Sequence, residues 1–220
     1  MKKVSILMLT YNAPHYVKKS ILSLQKKTKN VNYELVVVDN KSQTPTVRVL
    51  DRLHRRGNID KLYFNSKNDL FAGGNNIAAS LADKESDYYL LLNSDVEIKS
   101  DDWLEKLVAL MPEEGGIVSY GAVTSLPKRA DGYCMLISAD LYNKYKLDEG
   151  FQWWWSVTKL ESQVLKEGKS IIAIKNHEEY IHHFGGKSGK GYKDAKGMDV
   201  DMDEVEKWFS AGEVEIREKY

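Results

Sequence analysis

Cysteine is nearly missing from this chain. Cys134 is the single one among 220 residues, so no internal disulfide can form, and such thiol-poor usage suits a reducing, cytoplasmic setting. An excess of one charge is missing too. Lys plus Arg and Asp plus Glu both count 32, which gives no global pull toward nucleic acid or an anionic membrane. No apolar run approaches the roughly 20 residues of a spanning helix, and the first residues are strand-like, without a signal-peptide pattern. Peripheral contact with a membrane stays open. Proline is scarce, with four residues, so each one marks a boundary. What remains is ordinary for a globular protein: 42% hydrophobic and 29% charged, in a length that can bury one substantial core.

Apolar runs and amphipathic stretches alternate in the first half. Val4–Leu9, Tyr33–Val38, Ile59–Phe64 and Tyr88–Leu92 are rich in aliphatic, β-branched and aromatic residues and predict strands. Between them, Pro14 opens a helix to about Lys27, Pro45 opens a second, and Gly73-Gly74 precede a third that runs to about Ala82. Alternation of this kind predicts an α/β fold, a Rossmann-like, mostly parallel sheet with helices on both faces. The second half is less regular. It predicts helices from Asp101-Asp102 to Leu110, over Ala139–Tyr145, over Trp153–Glu167 and over Asp201–Phe209. Strands are expected at Gly116–Tyr120, Tyr133–Ile137 and Ser170–Ile174, and a mobile basic loop at Lys187–Gly197.

In open sheets of this type ligands bind beyond the carboxyl ends of the strands. Polar clusters stand there: Thr10-Tyr11-Asn12, Asp39-Asn40-Lys41-Ser42, Asn68, and Asn93-Ser94-Asp95 after the run Tyr88–Leu92. A carboxylate such as Asp95 can hold a divalent cation against a diphosphate. Each cluster also has a plainer reading, as a capped turn or a solvated loop. Gly186-Lys187-Ser188 is not a P-loop, because that motif needs glycine where Ile181 stands.

Taken in order, these segments resemble family 2 glycosyltransferases of the GT-A fold, and the stretch Asn68-Asp69-Leu70-Phe71-Ala72-Gly73-Gly74-Asn75 is similar to a segment of the rhamnosyltransferase-like branch. The resemblance covers about residues 2–188, as one domain with a nucleotide-binding half (1–98) and an acceptor-side half (99–188); residues 189–220 add the basic loop and a terminal helix. It implies a metal-dependent transfer of a sugar, of hexosyltransferase type, from a nucleoside diphosphate sugar to an acceptor hydroxyl, with inversion. By this resemblance Thr10, Tyr11, Asn12, Asp39, Asn40, Asn68, Gly74, Asn75, Asn93, Ser94, Asp95 and Lys187 line the donor site. Asp39 meets the base, Asn93 the ribose, and Lys187, Lys190 or Lys193 the diphosphate. Ile181-His182-His183-Phe184-Gly185-Gly186-Lys187-Ser188 resembles the late His motif, which makes His183 the second protein ligand, beside Asp95, of a manganese or magnesium ion. Trp153, Trp154 and Trp155 with Tyr133 and Met135 shape the acceptor side, for a glycan, lipid-linked or protein acceptor.

The chain departs from the pattern at Leu70, where the rhamnosyltransferase-like segment has glycine, and at the place of the base. Ser156-Val157 stand where the family has an acidic pair that supplies the general base. Asp148, Glu149 and Glu161 are the nearby carboxylates, with Asp148 and Glu161 as the base candidates. The alternatives are a nucleotide-sugar-binding protein that has lost transfer, and a nucleotidyltransferase; the latter usually carries a Gly-rich basic loop after its first strand, which Thr10–Pro14 lacks.

Overall fold

The computed structural model describes residues 2–187, 195 and 197–220. Strand and helix alternate through β1 (Lys3–Thr10), α1 (Pro14–Lys27), β2 (Asn32–Asp39), α2 (Thr44–Arg55), β3 (Lys61–Phe64), α3 (Leu70–Leu81) and β4 (Tyr88–Leu92). The second half adds β5 (Val96–Ile98), α4 (Trp103–Leu110), β6 (Gly116–Tyr120), β7 (Ala122–Val123), β8 (Arg129–Ala130), β9 (Cys134–Ser138) and α5 (Ala139–Tyr145). It continues with α6 (Trp154–Lys166), β10 (Ser170–Ile174), β11 (Ile181–His183), α7 (Met202–Trp208) and β12 (Glu215–Arg217).

Eight strands form one sheet in the order β12-β10-β6-β9-β4-β1-β2-β3. All neighbours are parallel except β9, which runs antiparallel to both β4 and β6. The period of two along β1 explains the layers. Val4, Ile6 and Met8 face one way, into a core built with Val17, Ile21 and Leu24 of α1, Leu50 of α2 and Trp103 and Leu107 of α4. Leu7 faces the other way, with Val36 and Val38 of β2, onto Ala78 of α3, Tyr142 of α5 and Leu160 and Val164 of α6. Both faces are covered, so the central strands read as continuous apolar runs rather than alternating ones.

Several ends shift by one or two residues, and three larger features differ from the sequence expectation. α3 begins at Leu70, so Gly73 and Gly74 lie inside it and not ahead of it. The reason is packing: a Cβ on Gly74 would stand 2.2 Å from Leu9 Cδ1, so the glycine lets the helix lie close against β1. Residues 96–98 and 181–183 form an antiparallel ribbon, β5 with β11, with His183 opposite Val96. Beyond the terminal helix, β12 adds a parallel strand on β10, pairing Ile172 with Glu215 and Ile174 with Arg217. Of the expected loop at 187–197, Ser188, Lys190 and Lys193 lie outside the described residues.

Candidate active site

β1 and β2 end side by side, with Thr10 paired to Asp39. Beyond them the backbone of Asn40 donates to the Thr10 carbonyl at 2.8 Å. The Asp39 carboxylate is 1% exposed. It accepts from Thr10 Oγ1 and from the Ser42 N–H, both at 2.9 Å. Thr10 and Asp39 therefore brace the strand ends from below. Asn12 does similar work in the next loop, where it accepts from the Gln43 N–H at 3.0 Å while its own N–H donates to Ser42 Oγ. Asn40 Nδ2 ties this platform to the start of α3 by donating to the Leu70 carbonyl at 2.9 Å. Leu70 itself has φ 58, a left-handed conformation that costs a non-glycine residue about 1–2 kcal/mol. The Asn68 side chain accepts from the Leu70 N–H at 3.0 Å and helps hold it.

Above this platform opens a cleft of about 420 Å³. Tyr11, Asn40, Asn68, Asn93, Ser94 and Asp95 line it from the first half of the chain; Tyr133, Trp153, Trp154 and Val157 come from the second half. Residues read from motifs as far apart in sequence as Tyr11 and His183 thus meet in one space. Thr10, Asn12, Asp39, Gly74 and Asn75 do not line it. Asn75 is buried and donates to the Phe71 carbonyl within α3. Of the tryptophans, Trp155 turns away, donating to the Met198 carbonyl at 2.7 Å and lying under Arg129. Met135 is fully buried in the core.

The β5–β11 ribbon brings the proposed ligand pair together. His183 pairs with Val96, the Phe184 N–H donates to the Asp95 carbonyl at 2.9 Å, and His183 Nε2 stands 3.2 Å from Asp95 Oδ1. Asn93 Nδ2 lies 3.3 Å from the same nitrogen. The Tyr133 ring stacks on the imidazole at 4.3 Å and 13° and fixes its plane. Burial alone would push the Asp95 carboxyl up, but His183 and the Lys187 N–H, 3.3 Å from Oδ2, hold it below the usual range. A charged carboxylate and an imidazole nitrogen with this spacing fit a cation: ligands about 2.1 Å from a six-coordinate ion sit about 3 Å apart at right angles. Among the described residues no third His, Cys, Asp or Glu joins them, so the remaining positions would fall to diphosphate oxygens and water. Gly185 and Gly186 both have positive φ, 64 and 63. They turn the chain past the pair where a side chain would be strained. Lys187 does not line the cleft with its ammonium, which lies 5.6 Å over the Tyr16 ring.

Neither expected base reaches the cleft. Asp148 forms an ion pair with Lys159 at 2.5 Å and accepts from the Gly150 N–H, and Lys159 holds its carboxyl below the usual range. Glu161 is 0% exposed. Its Oε1 accepts from the Ala130 N–H at 2.6 Å, and burial pushes its carboxyl well above the ordinary value. Glu161 lies inside α6 with its carboxyl turned to the core and not to the cleft. A different carboxylate, Asp131, does line the cleft. It sits in a loop without apolar period or motif, so nothing in the sequence singled it out.

Comparison with known proteins bears on the family and the fold. The family model for glycosyl transferase family 2 matches residues 5–165. Two proteins of Haemophilus influenzae, each described as an uncharacterized glycosyltransferase, are similar. One is 29% identical over 121 residues, 55% of this chain and 47% of the relative; the other is 27% identical over 119 residues, 54% of this chain and 36% of the relative. The matched part is thus under half the length of either curated relative. Among solved structures, the mannosyltransferase PcManGT from Pyrobaculum calidifontis, in complex with GDP-Man and Mn2+, matches with TM-score 0.69 and 17% identity over 86% of this chain and 58% of that one. GalNAc-T7 with UDP, GalNAc and Mn2+ gives TM-score 0.69 and 13% identity over 95% and 54%. S. aureus TarS 1-349 with UDP gives 0.60 and 21% over 75% and 55%. These likenesses establish the GT-A architecture that the mostly parallel sheet expresses, and with the family match over most of its length the chain belongs to glycosyl transferase family 2.

Proposed function

We propose that this protein transfers a sugar from a nucleoside diphosphate sugar to an acceptor hydroxyl, with inversion at the anomeric carbon. The observation that carries the reading is the Asp95–His183 pair, 3.2 Å apart in the cleft. Asn40, Asn68 and Tyr11 offer polar and stacking contacts to the nucleoside, and Asn93 is placed for the ribose. Bound manganese or magnesium would supply Lewis-acid stabilisation to the departing diphosphate; the imidazole ligand favours manganese. Trp153 and Trp154 give flat apolar faces to a sugar. A glycan, lipid-linked or protein acceptor, a place in the rhamnosyltransferase-like branch and a cytoplasmic location belong to the same proposal. No helix among the described residues is long and apolar enough to cross a membrane. A nucleotide-sugar binder without transfer is the second reading, favoured by Val157 in the cleft wall.

Calorimetric titration of UDP, GDP and dTDP, with and without manganese, tests the donor site. One nucleotide is expected to bind in a manganese-dependent way. Asp95→Ala and His183→Ala are each expected to weaken it on the order of 10- to 100-fold. Equal binding with and without metal would remove the metal site; no binding of any nucleotide would remove the donor site.

A further inference from the structure

Two carboxylates among the described residues line the cleft, Asp95 and Asp131. Asp95 has both oxygens engaged, Oδ1 toward His183 and Oδ2 toward the Lys187 N–H. Asp131 is different. No cationic side chain among the described residues forms an ion pair with it, and its Oδ1 meets the Tyr133 N–H at 3.4 Å.

Its backbone, by contrast, is pinned from several sides. The Asp131 N–H donates to the Gly121 carbonyl at 2.9 Å, and its own carbonyl accepts from the buried Ser119 Oγ at 2.6 Å. One residue earlier, the Ala130 N–H is held by Glu161. The Asp131 Cβ also lies 2.8 Å from where a side chain on Gly121 would begin, so only glycine leaves it room. One residue later, Gly132 packs on Val157 so closely that a Cβ there would stand 2.6 Å from Val157 Cγ2. The first turn of α6 thus presents a valine to the cleft, and the adjoining loop presents a carboxylate beside it. Trp153 and Trp154 line the same space. A group held rigidly, outside any ion pair among the described residues and lining the cleft is suited to accept a proton.

We propose that Asp131 is the general base of the transfer, an inference that rests on the donor reading above. The acceptor oxygen forms a bond to the anomeric carbon. The bond from that carbon to the diphosphate oxygen breaks, and its electron pair leaves with the diphosphate. The hydroxyl proton passes to the Asp131 carboxylate. Glu161 is then a positioning residue, which sets the chain at Ala130 without touching substrate.

The test uses the whole chain, with UDP-, GDP- and dTDP-hexoses as donors and water as acceptor, read as nucleoside diphosphate release in manganese. Asp131→Asn and Asp131→Ala are expected to bind the nucleotide as the wild type does, while release falls on the order of 100- to 10,000-fold. Azide is a nucleophile that carries no proton, so it is expected to restore release and yield a glycosyl azide in Asp131→Ala; a merely structural role would not respond. Wild-type release in Asp131→Asn overturns the inference, as does loss of nucleotide binding in both variants. A wild type that binds nucleotide but releases none, with water or azide, overturns it and leaves the donor site standing. A wild type that binds no nucleotide removes the donor reading and the inference together.

Discussion

At the scale of single residues, burial decides what each carboxylate can do. Asp95, Asp131 and Glu161 carry similar groups, yet Asp95 is held between His183 and the Lys187 N–H, Asp131 faces the cleft and Glu161 is sealed in the core. Glu161 has a measurable signature. Its folded carboxyl titrates well above the ordinary glutamate value because burial disfavours the charge. Above that value the unfolded chain has released the proton and the folded one has not. The unfolded state then binds fewer protons, so stability falls as pH rises, until the folded group ionises. Glu161→Gln keeps an oxygen to accept from the Ala130 N–H and removes the titration. The wild type is expected to lose melting temperature as pH rises above the ordinary glutamate range, and the variant to lose visibly less of it. Equal slopes in thermal melts would contradict a buried, neutral Glu161. Single residues were also where the sequence was hardest to read. The Asn93-Ser94-Asp95 turn and His183 announce themselves by type and by the apolar run or glycines beside them. Asp131 precedes Gly132 and the run Tyr133–Ile137 instead of following a predicted strand, so its place is not one where a ligand group is expected, and the packing of Gly121 and Gly132 is what makes it special.

Among elements, the β5–β11 ribbon carries the most consequence per residue. It is three residues on each side, yet it sets Asp95 against His183. Ile181 anchors it, fully buried opposite Ile98. Ile181→Ala is expected to cost about 2–5 kcal/mol in denaturant unfolding, as other large-to-small changes in cores do. It is further expected to weaken manganese-dependent nucleotide binding although the side chain is outside the cleft. Intact binding in a destabilised variant would mean that the ribbon does not set the ligand geometry. Longer elements were legible because their pattern is local. α5 and β10 follow the sequence expectation residue for residue, and β4 does so too. The ribbon and β12 were not. Glu215-Ile216-Arg217 contains one apolar residue in three, and what makes it a strand is the edge of β10, distant in sequence.

For the whole molecule, β12 closes one side of the sheet. Val214 beside it is 3% exposed, and Lys175 and Asn176 donate their N–H groups to the carbonyls of Arg217 and Glu218. Removing residues 213–220 is expected to cost about 2–4 kcal/mol and to raise light scattering on warming, since β10 would then offer an unpaired edge. Nucleotide binding is expected to persist below the melting temperature, because the residues proposed to hold the nucleoside follow β1, β2 and β4, away from β12; its loss there would mean the two ends are coupled. The strand order carries one more implication, for synthesis on the ribosome. β1 sits between β2 and β4, so the centre of the sheet can assemble once residue 92 has emerged. The other side grows outward through β9, β6 and β10, and β10 waits some forty residues of translation for its partner β12, a few seconds at about 5–20 residues per second. In that interval the nascent chain holds a formed centre and an open margin, and that margin is where a chaperone would have most to protect.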